Sequence, residues 1–106
     1  MLFRSTESDT KITVIVELQA KPGKRAELKN LLESVATSLG PTEPGFLGST
    51  RYEVLDNPDI LVEIAEWAST EVRAAAMQEA MTNGAYATLG ELLDAPYSAT
   101  VIRQLP

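Results

Sequence analysis

Apolar residues along this chain switch between two periods, and each switch marks the edge of an element. From Lys11 to Ala20 they alternate, with Ile12, Val14, Val16 and Leu18 in one set and Thr13, Ile15, Glu17 and Gln19 in the other. Period two with β-branched side chains predicts a strand. Lys21-Pro22-Gly23 interrupts it, and Leu28, Leu31, Leu32, Val35 and Leu39 then fall at helical spacing among Lys24, Arg25, Lys29 and Asn30. That is one apolar stripe on an amphipathic helix. Proline suits its start, where the missing N–H would be unpaired anyway, and Gly40-Pro41 predicts its stop. Phe46–Leu55 and Ile60–Trp67 read as two more strands, joined by an Asp56-Asn57-Pro58-Asp59 turn. In such a turn Asp and Asn bond their own backbone and Pro fixes φ.

Ser69 is a good N-cap, and Glu71 puts a negative charge in the first turn, where it is favoured. The alanine-rich run from Glu71 to Met81 is a strong helix former. Asn83-Gly84 breaks it, Ala85–Leu93 predicts a short further helix closed by Pro96, and Tyr97–Leu105 predicts a last strand. The order strand, helix, strand, strand, helix, strand is the ferredoxin-like βαββαβ pattern. It predicts an α+β fold, a four-stranded antiparallel sheet with helices on one face. Residues 1–10 are polar and mixed in charge and read as a mobile lead-in, leaving 11–106 as a single domain.

Both faces of the predicted sheet carry apolar groups. Ile15 lies beside Val14 and Val16, and Leu61 and Trp67 beside Val62 and Ile64. An open antiparallel face can stay wet if it is polar, whereas an apolar one marks an interaction surface. The expected partner is a second copy of the chain, docked as a homodimer through the open face. In the third strand, Ile60, Val62 and Ile64 suit the cover of the helices, which assigns Leu61, Glu63, Ala65 and Trp67 to the open side.

Composition narrows the chemistry. The chain has no cysteine and no histidine. Disulfides, thiolate zinc sites and a cysteine nucleophile are excluded, together with the commonest general base and metal ligand. A net charge of −6 repels phosphate backbones and anionic lipid heads, so neither nucleic acid nor a membrane is an expected partner. Without a signal-like or membrane-spanning apolar run, the expected compartment is the cytoplasm. No phosphate loop, nucleophile elbow or zinc spacing occurs, and Asp56 and Asp59 read as turn formers rather than a metal pair. No metal and no cofactor are expected.

The segment Glu43-Pro44-Gly45-Phe46-Leu47-Gly48-Ser49, the strand end Glu66-Trp67, the following Ala68-Ser69-Thr70-Glu71, and Lys21-Pro22-Gly23 resemble the antibiotic biosynthesis monooxygenase family. The resemblance covers nearly the whole chain. It implies a dimeric α/β barrel with a pocket between the open sheet face and the second helix. It also implies cofactor-free oxygenation of a small aromatic or polyketide-like substrate, such as a quinol or anthrone, by O2. Many family members carry a histidine on the second helix, nine residues after the tryptophan, where this chain has Ala76. A haem-degrading branch of the same fold relies on such a histidine for iron, so that activity is set aside.

Trp67 is the position the resemblance carries over directly, as an aromatic wall and indole N–H donor, against the plainer reading of a core tryptophan. Glu63 lies four residues earlier and shares its face. A carboxyl among apolar walls has a raised pKa and suits a general base, or else it is a paired structural charge. A four-residue hairpin loop sets Tyr52 opposite Glu63, and a loop one residue longer or shorter sets Arg51 there. Composition favours Arg51 and Ser49 on the side of Glu63, and hence an Arg51–Glu63 pair. The Arg51 guanidinium or the hydroxyls of Tyr52 and Tyr86 are candidates to hold a substrate anion. Met77, Met81 and Tyr86 are candidate walls of an adaptable pocket for a small apolar or aromatic ligand, or ordinary core residues. Three functions fit: the oxygenase, a non-redox ligand-binding or accessory protein, and an isomerase using the same carboxyl.

Overall fold

The computed structural model describes residues 11–106, so the expected lead-in lies outside the described residues. The strand with the cleanest alternation, β1 (Ile12–Gln19), takes an interior place in the sheet. After it come α1 (Arg25–Thr42), β2 (Phe46–Val54), β3 (Asn57–Trp67), α2 (Thr70–Thr82), α3 (Ala85–Leu92) and β4 (Ser98–Ile102). The sheet order is β2-β3-β1-β4 and every pairing is antiparallel. This is the ferredoxin-like α+β arrangement. Among the described residues no helix is long and apolar enough to cross a membrane.

Three boundaries differ from the sequence expectation by more than one residue: β4 stops at Ile102 rather than Leu105, and the other two have a visible cause. Helix α1 runs through Gly40-Pro41 to Thr42. The hydrogen bond that Pro41 cannot donate is offset by its neighbours: Thr42 Oγ1 donates to the Ser38 carbonyl at 2.9 Å, and the Glu43 N–H to that of Leu39 at 2.8 Å. Strand β3 begins at Asn57 rather than Ile60. The register jumps from Glu53↔Leu61 to Val54↔Asn57, so Pro58 to Ile60 have no partner on β2, and a proline costs no ladder bond there. Asn57 Oδ1 accepts from the Asp59 N–H at 3.1 Å, closing the expected side-chain turn.

The assignment of faces is inverted. Ile12, Val14, Leu18, Leu61, Ala65 and Trp67 are buried under the helices. Ile60, Val62 and Ile64 lie on the open face with Ile15 and Tyr52. Pairing decides it: Ile12, Val14, Val16 and Leu18 stand opposite Trp67, Ala65, Glu63 and Leu61, and residues directly opposite share a face.

The buried core falls into two clusters. At one end Leu18, Ala20, Leu28, Leu32, Leu61 and Leu93 pack together. At the other end Ile12, Val14, Ala65, Trp67 and Ala76 do so, with Phe46, Val72 and Met77 against them. Val16 touches both, and the residue opposite Val16 is Glu63. Along the helix side of β3 the order is therefore leucine, glutamate, alanine, tryptophan. A carboxyl at mid-sheet cannot be packed over by leucine without a desolvation cost. The core is built on either side of it.

Candidate functional site

The gap between the two clusters is a cavity of about 140 Å³. Its floor is the sheet, with Val14, Val16, Ser49, Glu63, Ala65 and Trp67. Its roof comes from α1 through Leu31, Leu32, Val35 and Leu39, and from α2 and α3 through Arg73, Met77, Tyr86 and Leu89. The pocket therefore lies under the helices, not on the open face as the sequence reading had it. In size it matches the roughly 150 Å³ apolar cavity known to stay dry and hold benzene.

Two devices in β2 shape this floor. Glu43-Pro44-Gly45-Phe46 is a turn: the Phe46 N–H donates to the Glu43 carbonyl at 3.0 Å, and the Gly45 N–H to Glu43 Oε1 at 3.0 Å. Gly45 is needed for room, because a Cβ there would collide with the methyls of Val72 on α2. Its carbonyl also accepts from the Ala68 N–H at 2.8 Å, which ties the hairpin to the start of α2. The second device is a bulge. Phe46 pairs with Trp67, but Gly48 pairs with Glu66 and Ser49 with Ala65, leaving Leu47 as the extra residue. Gly48 has φ +121°, which suits glycine. The bulge lets Phe46 and Ser49, three apart, face the same cavity.

The same register sets Arg51 opposite Glu63. Arg51 Nη1 donates to Glu63 Oε2 at 3.1 Å and to Ser49 Oγ at 2.8 Å. Burial pushes the Glu63 carboxyl above its ordinary value, and the Arg51 and Ser49 contacts pull part of the way back. Arg51 does not line the cavity. It borders an adjoining groove with Glu33, Thr37 and Gly48, and reaches Glu63 from that side. Its guanidinium is thus an ion-pair partner of the carboxylate.

Trp67 is 3% exposed and meets Phe46 edge-on, with ring centroids 5.1 Å apart. Tyr86 donates its hydroxyl to Met77 Sδ at 2.8 Å and stacks on Tyr97 at 6.4 Å. Burial and the neighbouring Tyr97 push its phenol up to about 12, so it stays a neutral donor.

Two expected wall residues are elsewhere. Tyr52 pairs with Val62 on the open face and is 49% exposed, because the register that brings Arg51 to Glu63 turns its neighbour outward. Met81 is 69% exposed in the last turn of α2, where Ala80 and Ala85 close the cavity instead. Arg73 is a lining residue the sequence reading passed over. It stands four residues before Met77, on the same helix face. Among the described residues no group of side chains suited to hold a metal occurs.

No curated protein sequence matches the chain. A conserved protein from Methanosarcina mazei Go1 is 26% identical, with 93% of this chain and 97% of that one covered and a TM-score of 0.79. Rv0793 from Mycobacterium tuberculosis is also 26% identical, over 92% and 97%, with a TM-score of 0.78. SnoaB, a cofactor-independent oxygenase from Streptomyces nogalater, shares the fold at 20% identity, over 91% and 96%, with a TM-score of 0.74. The family model for antibiotic biosynthesis monooxygenases matches residues 11–89, and so, with its fold and its mid-sheet cavity, the chain belongs to the antibiotic biosynthesis monooxygenase family.

Proposed function

We propose that this protein is a cofactor-free monooxygenase that oxidises a small aromatic quinol or anthrone-like substrate with O2. The observation that carries the reading is one strand face: Glu63, with a raised carboxyl pKa, and Trp67 open together into a mostly apolar cavity. Triplet oxygen reacts slowly with closed-shell organics, whereas a phenolate or enolate can donate an electron to it. The protein has only to bind the substrate away from water and favour its anion.

For a monocyclic quinol with a free ring carbon beside a hydroxyl, the steps balance without a reductant. Glu63 takes one proton from the substrate. The resulting anion passes an electron to O2, and the two radicals join as a carbon-bound peroxide. Glu63 returns its proton to the distal oxygen. Loss of the C–H proton at the peroxide-bearing ring carbon with cleavage of the O–O bond then gives a new carbonyl, hence a hydroxyquinone, and one water. A base with a raised pKa suits both directions of that proton transfer. The Trp67 indole offers apolar surface and an N–H donor to the anion, and Tyr86 offers apolar surface and, on turning away from Met77, its O–H.

The cavity volume favours one ring over three, so a monocyclic quinol fits without rearrangement. The open face, with Ile15, Val62, Ile64 and Tyr52 at its centre, is apolar enough to pair with a second copy. We assign the homodimer to that face. The pairing of Glu63 with Arg51 favours a second reading, a non-redox binding protein or an isomerase acting through the same carboxyl.

An oxygen electrode separates these. Metal-stripped protein is given hydroquinones, naphthols and anthrones, alongside Glu63→Gln and Trp67→Phe. Protein-dependent uptake, reduced about 10²-fold or more by Glu63→Gln, supports the oxygenase. Binding without uptake supports the binding protein, and conversion without oxygen supports the isomerase.

A further inference from the structure

The cavity contains one charge that the proposed chemistry does not use. Of the residues lining it, Glu63 and Arg73 are the two that carry charge. Glu63 is neutralised from outside by Arg51 at 3.1 Å. Arg73 is half-buried on α2, and among the described residues no carboxylate lies within ion-pair distance of it. Nor does its side chain hydrogen-bond to any described residue, although it is near enough to Tyr86 to pull that phenol down against its burial. Among the described residues, then, this mostly apolar cavity carries one uncompensated positive charge, in a chain whose net charge is −6.

A guanidinium in that setting is costly to leave unpaired. Burial has stripped part of its water, and its planar fork matches a carboxylate better than it matches any neutral group. The charge is also misplaced for a ligand that is a plain hydrocarbon or neutral quinol. We propose that Arg73 is a specificity-determining residue that selects an aromatic ligand bearing a carboxylate or comparable acidic substituent. The ring lies against Trp67, Met77 and Tyr86, the acidic group meets Arg73, and the oxidisable hydroxyl is left for Glu63. This deepens the proposed oxygenation, since it names the substrate class of the same cavity, but its core is a statement about binding and is testable without turnover.

Trp67 is the single tryptophan of the chain and lines the cavity, so its fluorescence reports occupancy. The probes are 2,5-dihydroxybenzoate and its methyl ester, titrated under anaerobic conditions so that no oxidation intervenes. They differ by one charge on the same ring. The wild type is expected to bind the acid at least about tenfold tighter than the ester, or about 1.4 kcal/mol. Arg73→Gln is expected to erase that preference by weakening the acid, while Arg73→Lys keeps part of it, since it retains the charge and loses the fork. Unchanged circular dichroism and melting of both variants would show that they fold. Equal affinity for acid and ester in the wild type, or a preference that survives Arg73→Gln, overturns the proposal. An oxygen electrode on the same pair keeps the two ideas apart. Acid preference without uptake removes the oxygenase and leaves Arg73 its role. Uptake with the ester as good as with the acid removes the role of Arg73 and leaves the oxygenase.

Discussion

Replacing Arg51 with methionine removes the cation beside Glu63 and keeps most of the aliphatic stem. The two polar atoms are 3.1 Å apart, and the side chains are 22% and 19% exposed. Charge centres about 4 Å apart attract by ~1 kcal/mol in water and ~4 kcal/mol at the effective dielectric of a protein surface. Both groups remain partly wet, so screening leaves ~1–2 kcal/mol. Burial already holds Glu63 above its ordinary value, and Arg51 is the chief influence pulling it back. Arg51→Met therefore raises it further. Between the ordinary carboxylate range and that raised value, the folded variant keeps a proton the unfolded chain has lost, so its stability falls as pH rises through the window. Relative to wild type, the pH-dependent deficit is small at acid pH, where Glu63 is protonated in both proteins, and largest at mildly alkaline pH, where it is ionised in both, at ~1–2 kcal/mol. Urea unfolding at both pH values and one fixed protein concentration measures it. In Arg51→Met/Glu63→Gln no carboxyl remains to titrate, and the pH-dependent part disappears. A deficit of equal size at both pH values would refute the claim that Arg51 acts on the charge of Glu63.

Three further outcomes follow from the packing. Gly45→Ala drives a methyl into Val72 and lowers stability by ~1–3 kcal/mol in thermal unfolding. Adding Val72→Ala recovers part of the loss, and absence of any rescue would mean the collision is not the cause. Alkaline titration followed by ultraviolet absorbance should show a tyrosine step near 12 that is missing in Tyr86→Phe. Ile64→Glu puts a charge at the centre of the open face, opposite Ile15. Sedimentation velocity should then show a dimer for the wild type and a monomer for the variant, and a monomeric wild type would dismiss the proposed interface.

Much of the scaffold was legible because local signals and tertiary packing agree. β1 alternates cleanly and is buried accordingly. Ser69 caps α2, accepting the Val72 N–H at 3.1 Å. The site was harder, for three separate reasons. The open face of β3 is itself apolar, so Ile60, Val62 and Ile64 outrank Leu61, Glu63, Ala65 and Trp67 on hydrophobicity. Alternation then tells that there are two faces but not which is covered. The missing information was the register against β1, a long-range fact. The bulge in β2 defeats simple parity counting from Phe46 to Arg51, although Gly48 inside a strand pattern was the available sign of it. Arg73 was overlooked because a lone arginine in an alanine-rich helix reads as a solvated charge. Its spacing to Met77 was the clue that both face the cavity.

The most direct test of the central claim is turnover of a monocyclic quinol under ¹⁸O2 by metal-stripped protein, read by mass spectrometry. The account predicts one labelled oxygen per product molecule, formed at a rate that depends on the protein and falls with Glu63→Gln. Unlabelled product, or no product from a quinol that demonstrably occupies the cavity, would contradict it.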